Sequence, residues 1–101
     1  MTRVVTSKNG VPIRLTSERW AHIVEEHCEL AGMREEVLET VRDPVQILFG
    51  DYGELLALRE VEPNKFLVAV YRELETDGFL ITAFLTRRIA ALSRRSQVWP
   101  R

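Results

Sequence analysis

The chain has 101 residues, of which 46% are hydrophobic and 29% are charged. This length supports one hydrophobic core and is too short for two, so the sequence predicts a single domain over residues 1–101. No apolar run approaches the ~20 residues that cross a bilayer, and the first ten residues lack the apolar segment of a signal peptide. One cysteine, Cys28, cannot build an internal disulfide framework. Together these features predict a cytoplasmic protein with no membrane partner.

The formal net charge is −1, but the charges are unevenly distributed. Residues 1–16 carry +3, residues 17–43 carry −5, residues 44–86 carry −4 and residues 87–101 carry +5. The last block contains five arginines and no acidic residue. Arginine binds phosphate through paired hydrogen bonds. This block is therefore either a phosphate-binding segment or a solvated helix face.

The N-terminal third contains signals for a hairpin and two helices. Asn9-Gly10 separates the extended runs RVVT and VPIRLT and predicts a β-hairpin, because both residues tolerate a positive φ. Thr16 or Ser17 is expected to cap a first helix, whose apolar residues recur at helical spacing. A second helix is predicted over about Arg34–Asp43 and ends before a proline.

From residue 44 onward the apolar period changes to two. Four runs follow: VQILF, LLALREV, KFLVAVYRE and GFLITAFLT. The connections between them are too short for parallel crossovers, so neighbouring strands are expected to be antiparallel. The predicted fold is α+β, with the N-terminal hairpin and two helices packed on a four-stranded antiparallel meander sheet. In the last run, alternation assigns Phe79, Ile81, Ala83 and Leu85 to the core face and leaves the threonines on the open face.

His22 and His27 are the only histidines, and they lie five positions apart in ERWAHIVEEHCEL. A helix turns about 100° per residue, so the two side chains point about 140° apart and cannot share one site on a straight helix. Histidine is the side chain best suited to proton transfer near neutral pH. His27 lies in the apolar stripe, where it is either catalytic or a hydrogen-bonded core imidazole. His22 lies among glutamates, where it is either catalytic or a surface residue.

Neither histidine predicts a metal site. Metal ligands on a helix prefer i, i+4 spacing, and the chain supplies a single cysteine. No bound metal is expected.

Several segments resemble those of one family. They are RWAHIVEEH at residues 19–27, DPVQIL, KFLVAVYR and GFLITAFLTRRI. Together they are similar to the small phage-associated members of the barnase–EndoU–colicin–RelE nuclease superfamily, over about residues 14–89. The resemblance implies an N-terminal helical region followed by a four-stranded antiparallel sheet. The sequence departs from the family pattern at Cys28, where a proline is expected after the second histidine.

The resemblance implies a metal-independent endoribonuclease of toxin or phage type that needs no cofactor. In such a reaction a base removes the ribose 2′-OH proton, the oxygen attacks the adjacent phosphorus, and an acid protonates the leaving 5′ oxygen. Cationic groups stabilise the extra charge on the phosphorane. RNA is the implied partner, because DNA lacks the 2′-OH nucleophile.

Nine residues are candidates for these roles. The candidate catalytic residues are His22, His27, Arg59 and Thr82. The candidate substrate-binding residues are Arg19, Tyr71, Thr86, Arg87 and Arg88. Several also have a purely structural explanation: a surface ion pair for Arg59, packing for Tyr71 and strand propensity for the threonines.

A second function stays open, because the chain is more acidic than is usual for a protein that binds RNA through phosphate contacts. The alternative is a non-catalytic protein-binding module of the same fold, of antitoxin or phage accessory type. A nuclease needs a histidine, an arginine and a hydroxyl on one surface, and its protein partner would be an antitoxin or inhibitor. A binding module needs an exposed apolar patch, for which Trp99 is a candidate. An open sheet edge also makes a homodimer a candidate assembly.

Overall fold

The computed structural model describes residues 1–101. It contains seven strands and three short helices: β1 (Thr2–Thr6), β2 (Pro12–Thr16), α1 (Ser17–Glu26), α2 (Arg34–Arg42), β3 (Gln46–Phe49), β4 (Leu55–Glu62), β5 (Lys65–Glu73), β6 (Gly78–Thr86), α3 (Ile89–Leu92) and β7 (Gln97–Trp99). A single 3₁₀ turn, Cys28–Leu30, lies between α1 and α2. All seven strands form one sheet in the order β1-β2-β6-β5-β4-β3-β7. No helix has the length and apolarity required to cross a membrane.

The prediction of a four-stranded antiparallel meander is wrong. The sheet has seven strands and is mixed, because β2 runs parallel to β6 while every other neighbouring pair is antiparallel. The four predicted runs are β3 to β6, but the N-terminal hairpin joins the same sheet through β2. The three-residue β7 extends the sheet beyond β3. Alternation along a strand indicates which side chains share a face, but it does not identify the strand's neighbour.

The N-terminal hairpin and the start of α1 form as predicted. Gly10 adopts a φ of 81° in the turn between β1 and β2, a conformation that glycine reaches without steric cost. The side chain of Thr16 caps α1 by accepting a hydrogen bond of 3.0 Å from the backbone N–H of Arg19. The helix ends at Glu26, earlier than its apolar stripe indicates, and His27 has already left helical geometry with φ −132° and ψ 74°.

The sheet has two different faces. The helix face carries the main core, against which α1 and α2 pack: Ile13, Leu15, Ile23, Leu30, Val37, Leu38, Val41, Ile47, Leu55, Ala57, Leu67, Ala69, Tyr71, Leu80 and Ala83. The second face carries a smaller cluster of Leu48, Leu56, Leu58, Val68 and Val70, against which Ile89 and Leu92 of α3 pack. In the middle strand β5, the five residues 67–71 are buried, because both faces are covered at this point.

A β-bulge at Ile81 changes which side chains of β6 reach the core. Tyr71 of β5 pairs with Leu80, whereas the preceding Val70 pairs with Thr82, so Ile81 is an extra residue. Leu80 is consequently buried in the helix-face core, and Ile81 packs on the second face. The predicted assignment of Ile81 to the core face is therefore wrong. After the bulge the predicted alternation holds, and the threonines lie on the second face.

β2 and β6 are in register over only two residue pairs, Ile13 with Gly78 and Arg14 with Phe79. A Cβ at position 78 would overlap the backbone carbonyl oxygen of Arg72 and lie 2.8 Å from Cδ1 of Ile13. Glycine at this position therefore allows β2, β6 and β5 to converge. Beyond this point α1 and the 3₁₀ turn pack against β6.

Gly78→Ala is expected to lower the free energy of unfolding by roughly 1–3 kcal/mol, because the added methyl group meets backbone that cannot rotate away. Urea denaturation of the variant and the wild type measures the loss. Gly50→Ala is the matched control, since the nearest atoms to a Cβ there belong to the flexible side chain of Glu54. Equal stability losses in the two variants would contradict the steric role of Gly78.

Candidate functional site

His27 lies at the C-terminal end of α1, where its backbone N–H donates a hydrogen bond of 2.8 Å to the carbonyl oxygen of Ile23. Its imidazole lies beside the ring of Phe84, with 6.3 Å between the ring centroids and 38° between the planes. Its Nδ1 is 3.7 Å from Oε2 of Glu29, and its side chain is 35% exposed. The imidazole is thus held against β6 and is still open to solvent.

Phe84 belongs to the second face and lies between two threonines. Thr82, Phe84 and Thr86 alternate along β6 and pair with residues of β5 that face the same way. All three are half-buried. The hydroxyl oxygen of Thr86 accepts a hydrogen bond of 3.0 Å from the backbone N–H of Arg88, which leaves the hydroxyl hydrogen free to be donated.

Two arginines follow β6 directly. Arg87 donates a hydrogen bond of 3.3 Å to the carbonyl oxygen of Pro63, and the side chain of Arg88 is exposed. Neither has a carboxylate within 4.0 Å. Their positive charge is therefore available to a ligand. We name the following set the β6 surface: His27, Thr82, Phe84, Thr86, Arg87 and Arg88.

Arg19 and His22 lie elsewhere. They line a shallow depression at the start of α1, together with Thr16 and Glu18. Nε2 of His22 is 3.4 Å from Oε1 of Glu26, one helical turn further on. The structure therefore separates the two histidines, and it leaves His22 as an exposed residue beside a carboxylate.

Arg59 lies on the helix face, because it pairs with the core residue Leu67 of β5. It lines a cleft that also includes Met33 of the α1–α2 connection and Glu36 of α2. No carboxylate lies within 4.0 Å of its guanidinium, so the ion pair considered from the sequence does not form. The sheet separates Arg59 from Thr82, and the two residues do not share a site.

Tyr71 lies in the helix-face core and is completely buried. Its hydroxyl has no hydrogen-bond partner, and burial raises the pKa of this phenol well above its usual range. A substrate at the surface therefore does not reach Tyr71. The structure gives this residue a packing role in place of the predicted substrate-binding one.

Two residues near His27 were not predicted to belong to the site. Phe84 could have been identified, because it alternates with two threonines that were singled out. Glu29 could not, because its position beside His27 depends on the end of α1, and the apolar stripe continues past that point. No three His, Cys, Asp or Glu side chains lie close enough together to hold a metal ion.

Comparison of the chain with protein-family models, with curated proteins and with solved structures gives no match. What supports a function is therefore the geometry of the β6 surface.

The two histidines should differ in their contribution to stability. His27→Ala is expected to lower the free energy of unfolding by about 1 kcal/mol, because it removes the contact with the ring of Phe84. His22→Ala should change it by no more than about 0.5 kcal/mol, as for most surface substitutions. Urea denaturation followed by circular dichroism distinguishes them. A larger loss for His22→Ala would contradict the placement of the two side chains.

Tyr71→Phe tests the packing role of Tyr71. It should leave stability at neutral pH unchanged or raise it by up to about 1 kcal/mol, because the hydroxyl it removes is buried without a partner. The raised pKa means that the folded protein holds the phenolic proton more tightly than the unfolded chain does. Wild-type stability is therefore lost as the pH rises above the unfolded value of about 10, and the variant should lose less.

Urea midpoints near neutral pH and at alkaline pH measure this effect. Tyr52→Phe is the control, because Tyr52 is 82% exposed and should leave both midpoints unchanged. Marked destabilisation by Tyr71→Phe at neutral pH would show that the hydroxyl makes a stabilising bond.

Proposed function

We propose that this domain is an endoribonuclease, as its resemblance to the barnase–EndoU–colicin–RelE superfamily implies, and that its catalytic centre is the β6 surface. The observation that carries the proposal is the contact of the His27 imidazole with Phe84. Through this contact a proton-transfer group lies at a sheet face that also bears two threonine hydroxyls. Two unpaired arginines lie at the end of the same strand.

His27 is the general base in this proposal. Nδ1 faces Glu29, which lies 3.7 Å away, and Nε2 is the ring atom that accepts the proton in this reaction. Nε2 takes the proton of a ribose 2′-OH, and the 2′ oxygen attacks the neighbouring phosphorus. The bond from phosphorus to the 5′ oxygen breaks, and that oxygen leaves with a proton from water. The products are a 2′,3′-cyclic phosphate and a 5′-hydroxyl end.

The remaining groups bind the phosphate. Arg87 and Arg88 supply the positive charge that stabilises the phosphorane, because neither is neutralised by a carboxylate. The hydroxyl of Thr86 donates to a phosphate oxygen, and the half-buried ring of Phe84 offers a surface on which a base can stack. His22, Arg19, Arg59 and Tyr71 have no part in this site.

Some of the acidic residues that weigh against RNA binding lie on the helix face or are paired with an arginine. Glu36 and Glu39 of α2 line a depression with Arg59, which lies on the helix face. Asp51 is paired with Arg95 at 2.8 Å, and Asp77 is paired with Arg14. None of these four carboxylates is paired with Arg87 or Arg88, so the charge of both arginines is available to a phosphate backbone.

The test is cleavage of a mixed-sequence RNA by the purified protein in EDTA, with the new ends analysed for 2′,3′-cyclic phosphate. The wild type should cleave RNA and leave the DNA of the same sequence intact. His27→Gln should reduce the rate by at least about 100-fold, in line with the loss of a general base. Arg87→Gln and Arg88→Gln together should weaken cleavage and its dependence on salt concentration.

His22→Gln is the matched control and should retain wild-type activity. Loss of activity in His22→Gln with full activity in His27→Gln would place the centre on α1 and overturn the proposed site. Absence of RNA cleavage by the folded wild-type protein across RNAs and pH would overturn the nuclease and favour the protein-binding module.

A further inference from the structure

The two edges of the sheet differ in how they are protected. β7 is short, with three residues, pairs irregularly with β3 and is followed by Pro100. These features make the addition of another strand at the β7 edge unfavourable. β1 has five residues, no proline and no irregularity in its pairing with β2, and nothing pairs with its outer side. Its central residue, Val4, is 58% exposed. β1 is therefore the edge at which another strand can be added.

A shallow groove follows this edge on the helix side. The residues that line it come from β1 and from one stripe of α2: Arg3, Val4, Val5, Glu35, Leu38, Glu39 and Arg42. Nη2 of Arg3 donates to Oε1 of Glu35 at 2.9 Å, and Arg42 is paired with Glu39 at 2.5 Å. The only charged side chain of β1 thus already has a counter-ion. The groove as a whole is electrically neutral.

We propose that the occupant of this edge is a second copy of the chain, whose β1 pairs antiparallel with the first about a two-fold axis at Val4. In this register Val4 lies opposite Val4 of the second copy, and Thr2 lies opposite Thr6 of the second copy. Arg3 lies opposite Val5 of the second copy. No like charges are directly opposite, and both the valine and the threonine pairs are favourable across strands.

The same two-fold axis makes the two α2 helices antiparallel on one side of the sheet. Glu35, at the start of the α2 stripe, then faces the end of the second copy's stripe that carries Arg42. By the same symmetry, Arg42 faces the end that carries Glu35 of the second copy. The stripe is therefore complementary in charge to itself when reversed. A neutral, self-complementary groove favours a second copy over a nucleic acid, which needs net positive charge.

The expected interface is small, since it consists of one strand edge and the rim of one helix. Interfaces of this size are typical of weak complexes, so a dissociation constant in the micromolar range is expected. Sedimentation velocity over a range of concentrations should show the wild type approaching the mass of two chains.

Two variants at Val4 test the register directly. Val4→Lys and Val4→Glu each place like charges opposite one another at the axis, so each variant alone should be monomeric. An equal mixture of the two should form a heterodimer, because the charges at the axis are then opposite. Val4 is exposed, so both variants should keep the wild-type circular dichroism spectrum and, at concentrations where the wild type is monomeric, its unfolding midpoint.

Val45→Lys is the matched control, because Val45 is 56% exposed and lies outside the groove, and this variant should dimerise like the wild type. A wild-type protein that stays monomeric up to sub-millimolar concentration would overturn the proposal. So would a dimer that survives in Val4→Lys and Val4→Glu alike, or a mixture of the two that stays monomeric. None of these results depends on RNA cleavage, so the dimer and the nuclease succeed or fail separately.

Discussion

The pairing of β2 with β6 lasts for two residues, and the position of His27 depends on how short it is. Gly78 allows the strands to converge at the start of β6, because a side chain there would overlap the backbone of β5. After Phe79 the two strands separate, and the side of β6 that faces away from β5 is left to α1 and the 3₁₀ turn. The end of α1 therefore reaches β6, and His27 contacts Phe84. A longer β2–β6 ladder would occupy that edge and exclude the imidazole.

The two faces of the sheet differ in how far helices cover them, and therefore in how many polar side chains they can carry. α1 and α2 cover the helix face and bury the larger cluster. On the second face, the four-residue α3 packs two side chains on a smaller cluster, and Phe84 and the threonines of β6 remain half-buried. The central strand β5 has apolar residues on both sides, and those on the second face are covered by side chains of β6 and α3 without a full helical layer. The second face can carry polar groups without loss of the main core.

What could be predicted from the sequence was local. The Asn9-Gly10 turn, the Thr16 cap and the bounds of α2 each depend on a few consecutive residues, and the structure confirms them within a residue. The four runs after Pro44 are strands for the same reason. The parallel β2–β6 contact and the pairing of β7 with β3 join segments far apart in the chain, and no local pattern encodes them.

The errors at the candidate site have physical causes of the same kind. A bulge adds one residue without changing composition, so the alternation in GFLITAFLT gave the wrong face for the residues before Thr82. α1 ends while its apolar stripe continues, so the residues that surround His27 could not be predicted from the helical pattern. Arg59 occupies a regular position in its strand, but the face on which it lies is set by the pairing of β4 with β5. Which candidates share a surface is thus decided by register.

The effect of the uneven charge distribution depends on where the fold places each charged segment. The acidic residues of α1 and α2 and the C-terminal arginines lie on different elements, and a chain with a net charge of −1 still has two unpaired arginines directly after β6. The neutral edge at β1 lies apart from the unpaired arginines that follow β6. Pairing two copies at that edge extends the sheet and leaves the second face as open as it is in one chain, because an added strand lies beside β1 and does not cover either face. The two β6 surfaces of such a dimer lie on the same side of one continuous sheet, so the proposed assembly at β1 and the proposed cleavage of RNA at β6 do not compete for the same residues.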